Sequence, residues 1–278
     1  MVTGAGGMLG TDVVSELVRR RHEVYALARA NLDITDPADV DAAVLEIAPD
    51  VVVNCAAWTD VDGAEKNEAA AMAVNDTGAG LLARAARDRG ASILHISSDY
   101  VFDGEKRAPY VESDMPHALS AYGRSKQAGE TSVSVANPRH WIVRTSWLFG
   151  TGGDNFVETM LRLAREQPEV LVVSDQVGCP TYTQHLAGAL ADLIEGRDYG
   201  IYHAAAQGSC SWFEFAQEIF DQTGTECRVM AATTEMLGRP APRPRYSVLG
   251  SERPDPIVLP HWREGLRDYL RERARVAA

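Results

Sequence analysis

Tyr122-Gly123-Arg124-Ser125-Lys126 sets a phenol and an ammonium one helical turn apart on the same face. A phenol with an ordinary pKa of about 10 exchanges protons poorly at neutral pH. A cation held close lowers that value toward the working range, as general acid catalysis requires. A lone Tyr-x-x-x-Lys pair is usually a surface pair. Here it follows a serine at a strand end, Ile96-Ser97-Ser98-Asp99-Tyr100, and a glycine-rich turn at the head of the chain. Together the three elements point to proton transfer by Ser98, Tyr122 and Lys126 beside a bound dinucleotide.

The dinucleotide follows from Gly4-Ala5-Gly6-Gly7-Met8-Leu9-Gly10, with Gly4, Gly7 and Gly10 in G-x-x-G-x-x-G spacing between a strand and a helix. Such a turn presents backbone N–H groups and a helix N-terminus to a pyrophosphate with no side chain in the way. Met8 and Leu9 open the helix and join the cofactor set. After the second strand the usual ribose-binding carboxylate is missing and Ala28-Arg29 stands in its place. A cation there suits a 2′-phosphate, favouring NADPH over NADH, although a solvated Arg at a strand end reads the same way. Asp33-Ile34-Thr35-Asp36 forms a turn and N-cap before Pro37, with Asp33 and Ile34 expected beside the cofactor. Asn54-Cys55-Ala56-Ala57-Trp58-Thr59 ends the third strand, and Ala57, Trp58 and Thr59 complete the cofactor set at the crevice lined by strand carboxyl ends.

These groups need a scaffold, and the first half supplies it by alternating strand and helix signals. Strands are expected at Met1–Thr3, Val24–Leu27, Val51–Asn54, Ser92–Ile96 and Trp141–Arg144. Helices are expected to about Arg21, then over Pro37–Ile47, Lys66–Arg89 and Tyr122–Val135. Apolar strands without strict alternation suit a parallel sheet covered on both faces. The opening strand is short against the usual five or so residues, so it is either trimmed or continued upstream. From about Thr151 the rhythm changes, with helical patterns at Gln184–Glu195, Ser211–Gln222 and His261–Arg273 and a proline-constrained extended run at Gly238–Tyr246. The fold class is α/β: a Rossmann-type doubly wound parallel sheet with a smaller mixed α/β C-terminal substrate lobe. Residues 1–150 form the NAD(P)-binding part, with parts of 175–210 returning to it, and 151–278 form mainly the substrate lobe.

Composition narrows the partners. Of 278 residues, 27 are Lys or Arg and 39 Asp or Glu, a net charge of −12 that argues against nucleic-acid binding. The four cysteines, Cys55, Cys179, Cys210 and Cys227, are scattered without a C-x-x-C pair, which suits a reduced cytoplasmic setting. No signal peptide and no bilayer-spanning apolar run is read.

The glycine turn, Ser98 and the Tyr122/Lys126 pair resemble the extended short-chain dehydrogenase/reductase superfamily. Within it, Ser97-Ser98-Asp99-Tyr100-Val101-Phe102-Asp103-Gly104 looks like the S-T-D-Y-V-F-D-G signature of dTDP-4-dehydrorhamnose reductases. Asn54–Glu65, Arg144–Trp147, Asp154–Phe156, Asp175–Thr181 and Arg243–Leu249 are similar to further motifs of that family, so the resemblance covers nearly the whole chain. It implies NAD(P)H-dependent reduction of the 4-keto group of dTDP-6-deoxy-L-lyxo-4-hexulose to dTDP-L-rhamnose. On that resemblance Tyr122 protonates the developing alkoxide. Lys126 holds the nicotinamide ribose and keeps the Tyr122 pKa low, and Ser98 hydrogen-bonds the carbonyl oxygen. It also implies a substrate set of Ser98, Asp99, Phe102, Tyr122, Trp147, Asn155 and Arg243, with core packing the competing reading for Trp147. A diphosphate on so acidic a chain needs local cations. Arg243 and Arg245, stiffened by Pro242 and Pro244, are the expected clamp, with Arg144 a possible helper that an acidic neighbour would instead claim.

Some members of that family dimerise through magnesium held by three glutamates. Asp12, Gln184 and Arg263 align with those positions, and a cation there would repel the metal, so no metal is expected and the chain reads as a monomer or weak dimer. A 4,6-dehydratase lacks support because no Glu follows the acid in Ser98-Asp99-Tyr100. A 4-ketoreductase of an antibiotic deoxysugar shares the same chemistry. A non-catalytic regulatory subunit like that of methionine adenosyltransferase is the binding-protein alternative, disfavoured by intact Ser98, Tyr122 and Lys126.

Overall fold

The computed structural model describes residues 1–196 and 198–276. In chain order, β1 (Val2–Thr3), α1 (Met8–Arg19), β2 (Ala26–Leu27), α2 (Pro37–Ile47) and β3 (Val51–Asn54) come first. Two short helices, α3 (Val61–Ala64) and α4 (Glu68–Met72), pass through a π-helical turn (Ala73–Gly78) into α5 (Ala79–Asp88). Then follow β4 (Ser92–Ser98), a 3-10 turn (Asp99–Val101), α6 (Ala121–Ala136) and β5 (His140–Thr145). Beyond them run β6 (Leu148–Phe149), α7 (Phe156–Glu166), β7 (Glu169–Val173), β8 (Val177–Gly178), β9 (Thr181–Tyr182) and α8 (Thr183–Ile194). The remainder is β10 (Gly200–His203), β11 (Cys210–Ser211), α9 (Trp212–Thr223), β12 (Arg228–Ala232), α10 (Thr234–Leu237) and α11 (Trp262–Val276).

Six strands form one parallel sheet in the order β10-β5-β4-β3-β1-β2. Alternation along each strand feeds two cores. Val53, Leu94 and Val143 pack with Leu9, Val13, Leu186 and Leu190 beneath α1 and α8. Val52, Ile93 and Ile142 pack with Val40, Val44, Leu82 and Ala86 beneath α2 and α5. Both faces are therefore covered, which is why these strands read as unbroken apolar runs. The two-residue β1 is paired on both sides, with Val2 opposite Ala26 and Val53. Chain order reverses around it, β2 lying on one side and β3 on the other, and this switch opens the crevice at the strand carboxyl ends.

Local signals set the helix starts. Asp36 accepts from the Ala38 and Asp39 N–H groups ahead of Pro37. Ser120 caps α6 through the Gly123 N–H at 3.1 Å, and Ser211 with Glu214 makes a capping box on α9. A separate core of Phe149, Met160, Val172, Phe215, Trp262 and Tyr269 lies among α7, α9 and α11, with β7 and β12 pairing in parallel beside it. Residues within 175–210 reach the large sheet: α8 packs on α1, and β10 forms its edge.

Candidate active site

The glycine turn is tight in ways only glycine allows. Gly4 has φ +67, and a Cβ on it would lie 2.5 Å from the Ala56 nitrogen in the loop after β3. A Cβ on Gly10 would lie 2.2 Å from the Gly4 carbonyl oxygen. The two loops flanking the switch are thus pressed together, with Gly7 capping α1 and its first-turn N–H groups facing the crevice mouth. Met8 is half-buried against Gly150 and Gly153, whereas the Leu9 side chain enters the core, leaving its backbone for a ligand. Arg29 is exposed just beyond β2, and the Asp33 carboxylate accepts from the Thr35 N–H and hydroxyl at 2.9 and 2.7 Å. Ile34 is buried, under Gly78.

Ala57 and Trp58 are half-buried and Thr59 is exposed in the loop after β3. That loop is fixed by Asn75 in the π-helical turn. The Asn75 side chain accepts from the Trp58 N–H at 2.8 Å and donates to the Trp58 carbonyl at 3.1 Å and the Ser125 hydroxyl at 2.9 Å. Asn75 is fully buried and ties the crevice loop to α6. The sequence reading missed it, since a single continuous helix over Lys66–Arg89 leaves no special place for one residue. π-helical turns of this kind concentrate at functional sites.

Ser98 ends β4, and α6 brings Tyr122 and Lys126 to the same strand end. Gly123 lets α6 approach, for a Cβ there would sit 2.3 Å from the Tyr100 carbonyl oxygen. Glu65 accepts from the Ala121 N–H at 2.8 Å and fixes the helix start. Tyr122 meets Tyr100 edge-on, ring centroids 5.5 Å apart. Lys126 is buried and donates to the Ile96 carbonyl at 2.6 Å. Burial lowers its pKa to about 8, opposed by Glu130 and Cys55.

The expected acidification of Tyr122 is not what the structure holds. Burial pushes the phenol up to about 12, Ser98's hydroxyl pulls it back, and the Asp99 carboxylate adds to the rise. Lys126 turns to a strand-end carbonyl because a buried ammonium needs acceptors. Tyr122 therefore keeps its proton at neutral pH.

Asp99 is 1% exposed, accepting from Ser98 Oγ at 3.0 Å and Ser247 Oγ at 2.5 Å. Burial still pushes its pKa up to about 6, with those hydrogen bonds opposing. The folded state thus binds this proton more tightly than the unfolded chain, so stability falls as pH rises from about 4 to about 6. Replacing Asp99 by Asn removes that slope. The Tm of the variant minus that of the wild type is expected to grow from pH 4 to pH 7.5 in matched thermal melts, and a constant difference would refute the assignment.

Three expected side chains are taken up by other contacts. Phe102 is fully buried, stacked on Tyr110 at 4.2 Å under the Arg144 guanidinium, and is a core residue, not a sugar contact. Asn155 caps α7 through the Glu158 N–H at 3.1 Å and donates to the Gly150 carbonyl at 2.9 Å and the Tyr269 hydroxyl at 3.4 Å, so its polar groups are engaged within the protein. Arg144 is claimed by Glu130 in a buried bidentate pair at 2.8 and 2.7 Å, so it is no phosphate helper. Arg245 is exposed, while Arg243 is half-buried against Asp62 and Tyr100. Trp147 is half-buried, with φ +48, its indole stacked on Trp212 at 3.6 Å. A non-glycine residue held there stores strain of a kind that gathers at ligand sites.

The three aligned metal positions also separate. Arg263 pairs with Glu218 at 2.7 Å. The carboxylate beside Gln184 is Glu272, which accepts from it at 2.5 Å and also lies near Asp12. Repulsion by Arg263 is therefore no argument about Asp12 and Gln184. Among the described residues no group of three or more His, Cys, Asp or Glu side chains is placed to hold a metal, and no helix is long and apolar enough to cross a membrane.

Known proteins resemble this chain along nearly its whole length. A dTDP-4-dehydrorhamnose reductase of Streptomyces griseus is 48% identical over 96% of this chain and 91% of its own. The crystal structure of a dTDP-4-dehydrorhamnose reductase from Clostridium acetobutylicum superposes with TM-score 0.96 at 42% identity, covering 98% of each chain. That of the Bacillus anthracis dTDP-4-dehydrorhamnose reductase, solved in complex with NADP, gives TM-score 0.95 at 41% identity, again covering 98% of each. With its glycine turn, strand-end serine and Tyr–Lys helix inside a match that runs over residues 1–275, the chain belongs to the RmlD substrate binding domain family.

Proposed function

We propose that the protein is an NADPH-dependent dTDP-4-dehydrorhamnose reductase, converting the 4-keto group of dTDP-6-deoxy-L-lyxo-4-hexulose to the alcohol of dTDP-L-rhamnose. The observation that carries the reading is the Tyr122 phenol hydrogen-bonded to Ser98, at the same crevice as a glycine cradle that a Cβ would fill. That cradle, the α1 N-terminus and Arg29 at the end of β2 suit the pyrophosphate and 2′-phosphate of NADPH. When bound, NADPH supplies hydride to the keto carbon.

This chain's residues handle the oxygen. Tyr122 Oη carries the proton that the developing alkoxide takes up, and its high pKa keeps that proton in place until negative charge appears. Ser98 Oγ supplies a second hydrogen-bond partner at the same oxygen. Lys126, anchored on Ile96, presents its remaining N–H groups to the nicotinamide ribose. Trp147 and Arg243 are assigned to the sugar and diphosphate. The enzyme acts in the cytoplasm as a monomer or weak dimer.

The test is loss of NADPH absorbance with the 4-keto sugar nucleotide generated in situ, followed by NMR of the product. Turnover giving the L-rhamno product is expected. NADPH binding with no turnover would leave the chain a binding protein, and a different C4 configuration would make it the reductase of another deoxysugar.

A further inference from the structure

Asp62, within the motif Asn54–Glu65, has no part in the proton or hydride chemistry, yet its carboxylate is crowded with donors. Arg243 reaches it through Nη1 and Nη2, both at 3.0 Å, Arg239 through Nη1 at 3.2 Å and Ala241 through its N–H at 3.1 Å. All three donors lie on one strap, residues 238–250, that leaves α10 and runs back across the large sheet's carboxyl edge. Prolines at 240, 242 and 244 remove alternate N–H groups from that strap, so it cannot hold itself by a backbone ladder. Its anchors come from outside. Asp62 takes residues 239–243, and Ser247 donates to Asp99. Leu249 bridges to Tyr110. Gly104, at φ +80, leaves the strap its seat, for a Cβ there would lie 2.7 Å from the Arg245 nitrogen.

The geometry at Arg243 is selective. Nη1 is used up by Asp62 and the Ala241 carbonyl at 2.9 Å, and Nη2 gives one hydrogen to Asp62. The side-on edge, Nε–H with the outer Nη2–H, is not taken by Asp62, and the guanidinium also hydrogen-bonds Tyr100, the ring that meets Tyr122. That edge is a two-donor fork of the shape a phosphate accepts.

We infer that Asp62 is a positioning residue that fixes the Arg243 guanidinium so that the edge not taken by Asp62 meets the diphosphate of the sugar nucleotide. The inference rests on the reading of Arg243 as a diphosphate ligand. An arginine so held loses less freedom when the anion binds, and the benefit falls on substrate binding and transition state alike. Asp62 therefore acts on KM and leaves kcat alone.

The test uses the full chain with dTDP as the probe, followed by calorimetry, and the complete reaction followed kinetically. Asp62→Asn is expected to raise the Kd of dTDP and the KM of the keto sugar about tenfold, with kcat within about twofold. The Kd of NADPH should not move, which reports an intact fold. Asp62→Glu, keeping the carboxylate, should recover most of the loss. In an Arg243→Met background the Asn substitution should add less than about twofold, because its route runs through the missing guanidinium. A dTDP affinity unchanged in Asp62→Asn, or a full additional loss on top of Arg243→Met, overturns the inference while leaving Arg243 a ligand. If Arg243→Met by itself leaves dTDP binding intact, the diphosphate reading fails, and the role of Asp62 falls with it.

Discussion

Tyr122→Phe is expected to lower kcat about a thousandfold, within the range for loss of a positioned general acid, while NADPH binds within about twofold of wild type. The ring is retained, so its edge contact with Tyr100 at 5.5 Å and the packing of α6 survive. What disappears is one proton at one atom. No neighbour replaces it. The Ser98 hydroxyl donates to Asp99 at 3.0 Å and, turned to the keto oxygen, can hydrogen-bond it but not protonate it, an aliphatic hydroxyl being a weaker acid than a phenol. Lys126 is turned to the Ile96 carbonyl. Single-turnover rates with preloaded NADPH separate this chemical step from product release. A variant retaining more than about a tenth of the wild-type rate would remove Tyr122 from the reaction.

The largest expected loss of stability comes from Glu130→Ala, which should cost about 3–5 kcal/mol. Glu130 and Arg144 have side chains only 7% and 2% exposed, so solvent does not screen their pair. Ser97 also donates to Glu130, at 2.6 Å. Truncation leaves a buried guanidinium whose other contacts are the His203 ring at 3.3 Å, the Glu112 carbonyl at 3.4 Å and the face of Phe102. The cost lies mainly in that stranded charge. The double replacement Glu130→Leu with Arg144→Met, which removes both charges, should be less destabilising than Glu130→Ala alone. Urea denaturation of the three proteins decides it. Equal midpoints for wild type and Glu130→Ala would show that the pair contributes nothing.

Much of the scaffold is legible in the residues because local chemistry enforces it. Val51–Asn54 and Pro37–Ile47 are strand and helix at those very bounds, the first from an apolar β-branched run, the second from Asp36 and Pro37 at its start. The motifs likewise gather Ser98, Tyr122 and Lys126 around the end of β4. Side-chain partners are another matter, for they depend on what a neighbouring segment brings. The family resemblance marks Phe102 as a sugar contact, until Tyr110 is seen to cover it. Asn155 stands ahead of an amphipathic stretch that went unread as α7, and with the helix missed its capping role was missed too. On α11, choosing between Arg263 and Glu272 as the neighbour of Gln184 needs the packing of that helix, which motif alignment does not carry. The Tyr122 environment escapes for a related reason: spacing brings an ammonium near but does not carry the burial that raises the phenol, and a carbonyl in the adjoining strand takes the ammonium.

The order of strands carries a lesson for biosynthesis. One of the sheet's two edge strands is β10, laid beside β5 only after more than fifty intervening residues, some of which belong to another core that later segments complete. While the chain is leaving the ribosome, β5 therefore waits with its free edge uncovered until His203 has emerged. Truncation before that point strands an open edge, and truncation before Thr183 also removes α8 from the face of α1. A fragment ending near residue 150 should consequently clump rather than persist as an independent cofactor-binding unit, and the nascent protein has its greatest need of chaperone cover in that interval.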